Sequence, residues 1–249
     1  MRDTRIIMGM PVVVEIADLS ATKDALEEVF GYFVSVDERW STYKKESEIS
    51  KINRGELSER NWSAEMKEIF ALAEKTKEET GGYFDIRRPG GSIDPSGIVK
   101  GWAIRNAAKI LDKKGFKHFY VDAGGDIETR GLNTKGAAWS IGIRNPFKRE
   151  ENVKIIYPRG KGVATSGTYI RGAHIYNPHA PTASLDDVVS LTVIGPDVYE
   201  ADRFATAAFA MGKEGINFIE GLPSFEGYSI DKNGVATMTS GFEHYTKTK

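Results

Sequence analysis

Hydrophobic positions along the chain recur with two periods, and the changes of period mark the elements. From Ile6 to Ile16 β-branched residues dominate, which predicts a strand; Gly9 and Pro11 inside it point to a sheet edge or a bulge. Ser20 offers an N-cap. Leu26, Val29, Phe30 and Phe33 then recur at helical spacing, the apolar stripe of an amphipathic helix that runs to about Asp37. A second helix is predicted from about Ala64 to Thr80, with Ser63 as N-cap, Met66, Ile69, Phe70 and Ala73 facing inward, and Gly81-Gly82 as the stop. A third starts near Lys100 or Gly101, carries Ala103, Ile104, Ala107, Ile110 and Leu111, and ends at Gly115.

Beyond that helix the period shortens to two. Strand-like runs follow at His118 to Asp122, Asp126 to Thr129, Trp139 to Arg144, Val153 to Tyr157, Val163 to Thr165 and Val188 to Ile194. A helix is predicted from Glu200 to Met211 and a short one from Gly215 to Glu220, before a final strand pair near Tyr228 to Ile230 and Val235 to Met238. Helices stand in blocks between runs of strands, so the pattern predicts an α+β fold with a largely antiparallel sheet and packed helices rather than a doubly wound parallel one. No repeat, low-complexity tract or charge run marks a linker, and residues 1–249 read as a single unit.

Composition removes several classes of function. With 34 Lys+Arg against 35 Asp+Glu the formal charge is −1, so the basic excess expected of a phosphate-backbone binder is missing. Zero cysteines exclude disulfides, thiolate zinc sites, iron–sulfur clusters and a cysteine nucleophile. No stretch reaches the ~20 apolar residues that cross a bilayer, and the N-terminus lacks a long apolar run ending at a small-residue cleavage site. A cytoplasmic location is the expectation.

Five segments could carry chemistry. In "IDPSGIVKG", Ile93 to Gly101, a glycine-containing turn feeds a helix, and Lys100 adds a positive charge where a phosphate would sit. The spacing is not that of a Walker A loop, and a capped helix with a solvated lysine has the same sequence. Asp202 and Thr206 lie four apart on a predicted helix, so a carboxylate and a hydroxyl share one face; that pair suits Mg²⁺, as it suits a capping Asp and a packed Thr. The alanines around Asp202 predict a closely packed helix in which a buried Asp202 needs a partner. His174 and His179, separated by Pro178, do not form a helical zinc pair; His174 is a candidate base if a substrate lies near it. "GKGVATSG", Gly160 to Gly167, lacks the last glycine of a dinucleotide loop, and Ser166-Gly167 reads as a turn. "VDAGGDIETRG" reads as a hairpin with Asp122 and Asp126 at its mouth.

Taken in order, the segments "MGM" (Met8 to Met10), "STYKKESEISKIN" (Ser41 to Asn53), "GGYFD" (Gly81 to Asp85), "DPSGIVKGWA" (Asp94 to Ala103), "VDAGGDI" (Val121 to Ile127), "VATSGTY" (Val163 to Tyr169), "HIYNP" (His174 to Pro178) and "ADRFATAAFAMG" (Ala201 to Gly212) resemble the ApbE family of FAD:protein FMN transferases. The resemblance spans nearly the whole chain. It implies a T-fold-related α+β fold and a Mg²⁺-dependent transfer of FMN from FAD to a Thr or Ser hydroxyl of an acceptor flavoprotein, with AMP as leaving group. It further implies that Met8, Tyr43, Asp94, Lys100, Ser166 and Ile175 contact FAD. Gly97, Asp202 and Thr206 would hold the metal, with Gly97 acting through its carbonyl, and His174 would take the proton from the acceptor hydroxyl. Expected partners are FAD and a protein with an FMN-binding domain, with neither nucleic acid nor an integral membrane segment.

Three departures from the family pattern stand out. Pro95-Ser96 replaces a Leu-Gly pair, and Ala205 stands where some members carry a second Asp. Asp85 and Asp94 are only nine positions apart, where the family usually has several tens of residues, which resembles a compact subgroup. Two other readings use the same residues: a Mg²⁺-dependent FAD pyrophosphatase that releases FMN and AMP, and a protein that binds FAD without turning it over. A pure binder would have no use for a metal pair and a base.

Overall fold

The computed structural model describes residues 1–148, 150–168 and 175–247. The run expected as one strand is a hairpin: β1 (Arg2–Ile7) turns at Met8 and Gly9 and returns as β2 (Met10–Ile16). Both turn residues have positive φ, 56° and 71°, the type I′ geometry whose twist matches paired strands. Gly9 therefore marks a reversal, not a bulge. Helix α1 (Lys23–Trp40) is capped by Thr22 rather than Ser20, the Thr22 hydroxyl accepting from the Ala25 N–H at 3.3 Å. Helix α2 (Glu48–Asn53) has only six residues, too few for a periodic stripe to show, and begins at the Ser47 cap. Helix α3 (Ala64–Glu79) starts at Ser63 as expected, with the Met66 N–H donating to its hydroxyl at 3.1 Å.

Helix α4 (Ser96–Lys113) begins four residues before Lys100, because the Pro-Ser-Gly segment is its first turn and not a loop before it. Strands β3 (Phe119–Ala123), β4 (Asp126–Arg130), β5 (Ile141–Arg144), β6 (Asn152–Ile156), β7 (Gly162–Gly167) and β8 (Val188–Gly195) follow. Helices α5 (Val198–Ala210) and α6 (Gly215–Glu220) then precede β9 (Glu226–Asp231) and β10 (Ala236–Met238). Ser166 and Gly167, read from the sequence as a turn, are the last residues of β7 and pair with Leu191 and Ser190 of β8.

Among the described residues the strands form an eight-stranded sheet of order β1-β2-β3-β4-β7-β8-β9-β10, antiparallel at every pairing, and a separate β5–β6 ribbon. The α+β expectation holds, and the helices gather on one face: α4 lies on β3 and β4, α5 on β7 and β8. Alternation along the strands divides the core. Ala164, Leu191 and Val193 join Phe204 and Phe209 of α5 on the helical side, whereas Val163 and Ile194 point the other way, to Ile143, Ile156 and Phe242. Strands β7 and β8 are covered on both faces, so their apolar runs are nearly continuous.

Candidate active site

The site is built where α4 and α5 cross. Gly101 makes the crossing close: a Cβ there would lie 2.7 Å from Asp202 Cβ and 2.8 Å from the Val198 carbonyl oxygen. The approach lets the Gly101 N–H donate to Asp202 Oδ2 at 2.8 Å. One turn earlier Gly97 faces Thr206, whose hydroxyl donates to the Gly97 carbonyl at 3.4 Å. Asp202 and Thr206 thus share the face of α5 that their spacing predicts, and this face meets the first two turns of α4.

Lys100 reaches inward from α4. Its ammonium contacts Asp126 Oδ2 and lies 3.6 Å from Asp202 Oδ1. Asp126, the first residue of β4, is buried, and its other oxygen accepts the Thr165 N–H of β7 at 3.0 Å. Strands β4 and β7 pair only at Ile127↔Val163 and Glu128↔Gly162, so this side chain bridges the strands where the ladder stops. Two buried carboxylates and one ammonium leave a surplus negative charge. Burial raises the Asp202 pKa from its ordinary value; Lys100 opposes the shift and the nearby Asp126 adds to it.

These residues form one end of a cleft walled by Asp94, Gly97, Lys100, Ser166, Ile175, Asp202 and Thr206, with Tyr83, Phe84, Asp85, Arg88 and Tyr176 on its other walls. Asp94 guards the start of α4: one oxygen accepts the Ser96 N–H at 3.1 Å and the other accepts from the Arg88 guanidinium at 2.5 Å. Pro95, the N-cap residue, has no side chain to do this. Among the described lining residues Asp85, Asp94 and Asp202 outnumber Arg88 and Lys100. Asp85 is paired with Lys77 and Asp94 with Arg88, so the unbalanced negative charge lies at Asp126 and Asp202 around Lys100, where a cation would have to accompany an anionic ligand.

The donor set fits a hard divalent ion. Among the described residues no three His, Cys, Asp or Glu side chains converge in metal-binding geometry. The Thr206 hydroxyl and the Gly97 carbonyl lie 3.4 Å apart, and the Asp202 carboxylate, one turn before Thr206 on α5, lines the same cleft. Mg²⁺ is commonly held by one or two carboxylates, with water and ligand phosphate oxygens completing its shell.

The ApbE family profile matches residues 8–89 and 86–228. The chain belongs to the ApbE family. A relative from Vibrio cholerae serotype O1 named FAD:protein FMN transferase is 32% identical over 165 residues, which is 63% of this chain and 48% of the relative. The chain spans about half the length of the first curated relatives it matches. The solved flavin transferase ApbE of Vibrio cholerae superposes with a TM-score of 0.85 at 24% identity, covering 98% of each chain. The ApbE protein of Thermotoga maritima gives 0.86 at 22% identity, covering 99% of each. These superpositions establish the ApbE fold for this chain.

Seven residues implied by the ApbE resemblance therefore meet in one cleft: Asp94, Gly97, Lys100, Ser166, Ile175, Asp202 and Thr206. Two do not. Met8 sits in the β1–β2 turn, partly buried against the main core, and Tyr43 is 98% exposed in the loop before α2; neither lines the cleft. His174 lies outside the described residues. Asp126, which the sequence presents only as an acid at a hairpin mouth because "VDAGGDI" has the form of any tight hairpin, joins the site; Arg88 of the cleft wall carries no sequence signal of its own. The available signal for Asp126 was an acidic residue on a strand otherwise half apolar, directly after a Gly-Gly turn.

Proposed function

We propose that this chain, acting as a single transferase domain over residues 1–249, moves FMN from FAD to a Thr or Ser hydroxyl of an acceptor flavoprotein, with Mg²⁺ as cofactor and AMP as the leaving group. The observation that carries the reading is the lining of one cleft by Asp202, Thr206 and Gly97 beside Lys100, where the negative charge is unbalanced. The similarity to relatives named FAD:protein FMN transferase supports it.

Bound Mg²⁺ would neutralise the pyrophosphate and the charge that develops on it during displacement. The remaining work falls to the chain. Lys100, held between Asp126 and Asp202, is a fixed positive charge at the inner end of the cleft. Asp94, Ser166 and Ile175 line the space for FAD, and Met8 and Tyr43 belong to the FAD contacts by resemblance alone. In the reaction the acceptor oxygen bonds to the FMN phosphorus, the bond from that phosphorus to the bridging oxygen breaks, and AMP departs with that oxygen. His174 accepts the hydroxyl proton.

The test is to incubate the purified protein with FAD, MgCl₂ and an FMN-binding domain that bears an acceptor Thr. The acceptor mass and the AMP released are then read. The expected result is a mass gain of one FMN per acceptor with matching AMP, abolished by EDTA. AMP and free FMN with an unmodified acceptor would replace this reading with a pyrophosphatase. Retained FAD with neither product would replace it with a flavin binder.

A further inference from the structure

The segment joining Asp85 to Asp94 is a small clamped hairpin with a cation on it. Arg87 and Ile93 form an antiparallel bridge, the Arg88 N–H donates to the Ser92 carbonyl at 2.8 Å, and Gly90 and Gly91 make the tip with φ of 98° and 89°. Contacts from outside fix it. Asn53 of α2 donates to the Ile93 carbonyl at 2.8 Å and accepts the Ile93 N–H at 2.7 Å, while the Tyr176 hydroxyl donates to the Arg87 carbonyl at 3.0 Å. Arg88 is thereby carried to the cleft wall. There its guanidinium meets Asp94 and lies 5.8 Å from the centre of the Tyr176 ring.

Among the described residues of the cleft, the cations Lys100 and Arg88 are placed differently. Lys100 is deep and engaged by two buried carboxylates, next to the residues that fit a metal. Arg88 is at the rim, with about a third of its side chain exposed, and Asp94 ties it to the first turn of α4. A single phosphate group needs one such partner, whereas a pyrophosphate presents two. A guanidinium also offers a planar fork of donors that fits phosphate oxygens, and it stays charged at any working pH.

Resting on the reading of FAD as substrate, we propose that Arg88 is a substrate-binding residue for the phosphate of the nucleotide that leaves. Lys100 and the metal ligands serve the phosphate that is transferred. The placement suits the chemistry: negative charge builds on the leaving phosphate as its bridging bond breaks, and the product must depart through the mouth of the cleft, where Arg88 stands.

The test reads binding without turnover. Wild type, Arg88→Ala and Arg88→Lys are titrated separately with AMP and with FMN in MgCl₂ by calorimetry, after thermal melts establish that each variant is folded. The expected result is a rise in Kd for AMP of at least about tenfold in the Ala variant, a smaller rise in the Lys variant, which keeps charge without the fork, and a Kd for FMN within about twofold of wild type. An unchanged Kd for AMP overturns the proposal. Equal weakening of AMP and FMN also overturns it, because Arg88 would then act only by holding Asp94 and α4 in place. Failure of wild type itself to bind either nucleotide is a different result, which removes the FAD reading and this proposal together.

Discussion

Helices α1 and α4 have the same length, 18 residues, and pack against one another on the same side of the sheet. α1 opens on Thr22, a side-chain cap supplied by its own neighbour, and buries Leu26, Val29, Phe30 and Phe33 along one stripe. α4 opens on Pro95, which cannot cap, and borrows Asp94, a carboxylate shared with Arg88 from the cleft wall. Its first turns carry Gly97, Lys100 and Gly101 where α1 carries apolar bulk and charged surface. The difference separates a helix shaped to fill a core from one whose first turns leave room for a ligand. Both helices are capped by a near neighbour, but the first turns of α4 are also met by Asp202 and Thr206, more than a hundred positions away.

This contrast breaks first at Asp202. If the start of α4 and the face of α5 form a cation site, Asp202→Ala removes the carboxylate that α5 brings to it. Transfer from FAD should then fall by roughly a hundredfold or more, the several kcal/mol that a metal contributes to charge stabilisation, while the protein still melts cooperatively. Wild-type rates of acceptor labelling in that variant would remove Asp202 from the mechanism.

Gly101 tests whether the close crossing is what builds the site. Adding a methyl group there meets Asp202 Cβ and the α5 backbone at distances that no Cβ tolerates, so the helices must part. Gly101→Ala should lower stability in urea by about 3 kcal/mol, the upper range for overpacking, and weaken transfer as well. A variant as stable as wild type would mean that the crossing has slack.

Glu128 sharpens the comparison at a third helix. It is buried on β4 and accepts the Val198 N–H at the start of α5 at 2.6 Å. Burial pushes its pKa up to about 7, although Arg130 and the Val198 N–H pull the other way. The folded protein therefore holds this proton more tightly than the unfolded chain does. That stabilisation is complete below the ordinary pKa of 4.5 and is lost as the pH rises through about 7. Urea melts across this window should show wild type losing on the order of 3 kcal/mol relative to Glu128→Gln, whose amide does not titrate. A pH-independent difference between the two proteins would contradict the raised pKa.

The smallest effect belongs to α1. Thr22→Ala removes the hydroxyl that accepts the Ala25 N–H and should cost about 1 kcal/mol in a urea melt, with transfer from FAD unchanged. A drop in activity there would erase the distinction between the two helices.

The legible parts of the fold were those in which one element carries its own signal. The stripe of α1, the Ser63 cap and Gly81 stop of α3, and the alternation of β3 to β10 could be read within a few residues. The errors have local causes. Ser20 and Thr22 are both competent caps, and the choice between them depends on where the chain leaves β2. The sequence points to a late start for α4 because Pro, Ser and Gly are common in turns, whereas Asp94 and the packing of Gly97 against Thr206 bring Ser96 and Gly97 into the helix. Asp202 and Thr206 could be paired in advance because helical spacing puts them on one face. Asp126 could not, since its alternative as an ordinary hairpin acid is locally identical.

By itself the sequence determined the longer helices and most strands, the antiparallel class and, through eight ordered segments, the family. Those follow from periodicity, capping and turn chemistry, which act over a handful of residues. Tertiary structure decided which charges meet. Gly101 and Asp202 are 101 positions apart and joined by a hydrogen bond, and Lys100 meets Asp126 only once α4 has packed on β4. Tertiary structure also decided that Met8 and Tyr43 stand outside the cleft walls and that Arg88 stands in them. Charge interactions depend on distance and burial, and neither exists for residues this far apart until the chain has folded.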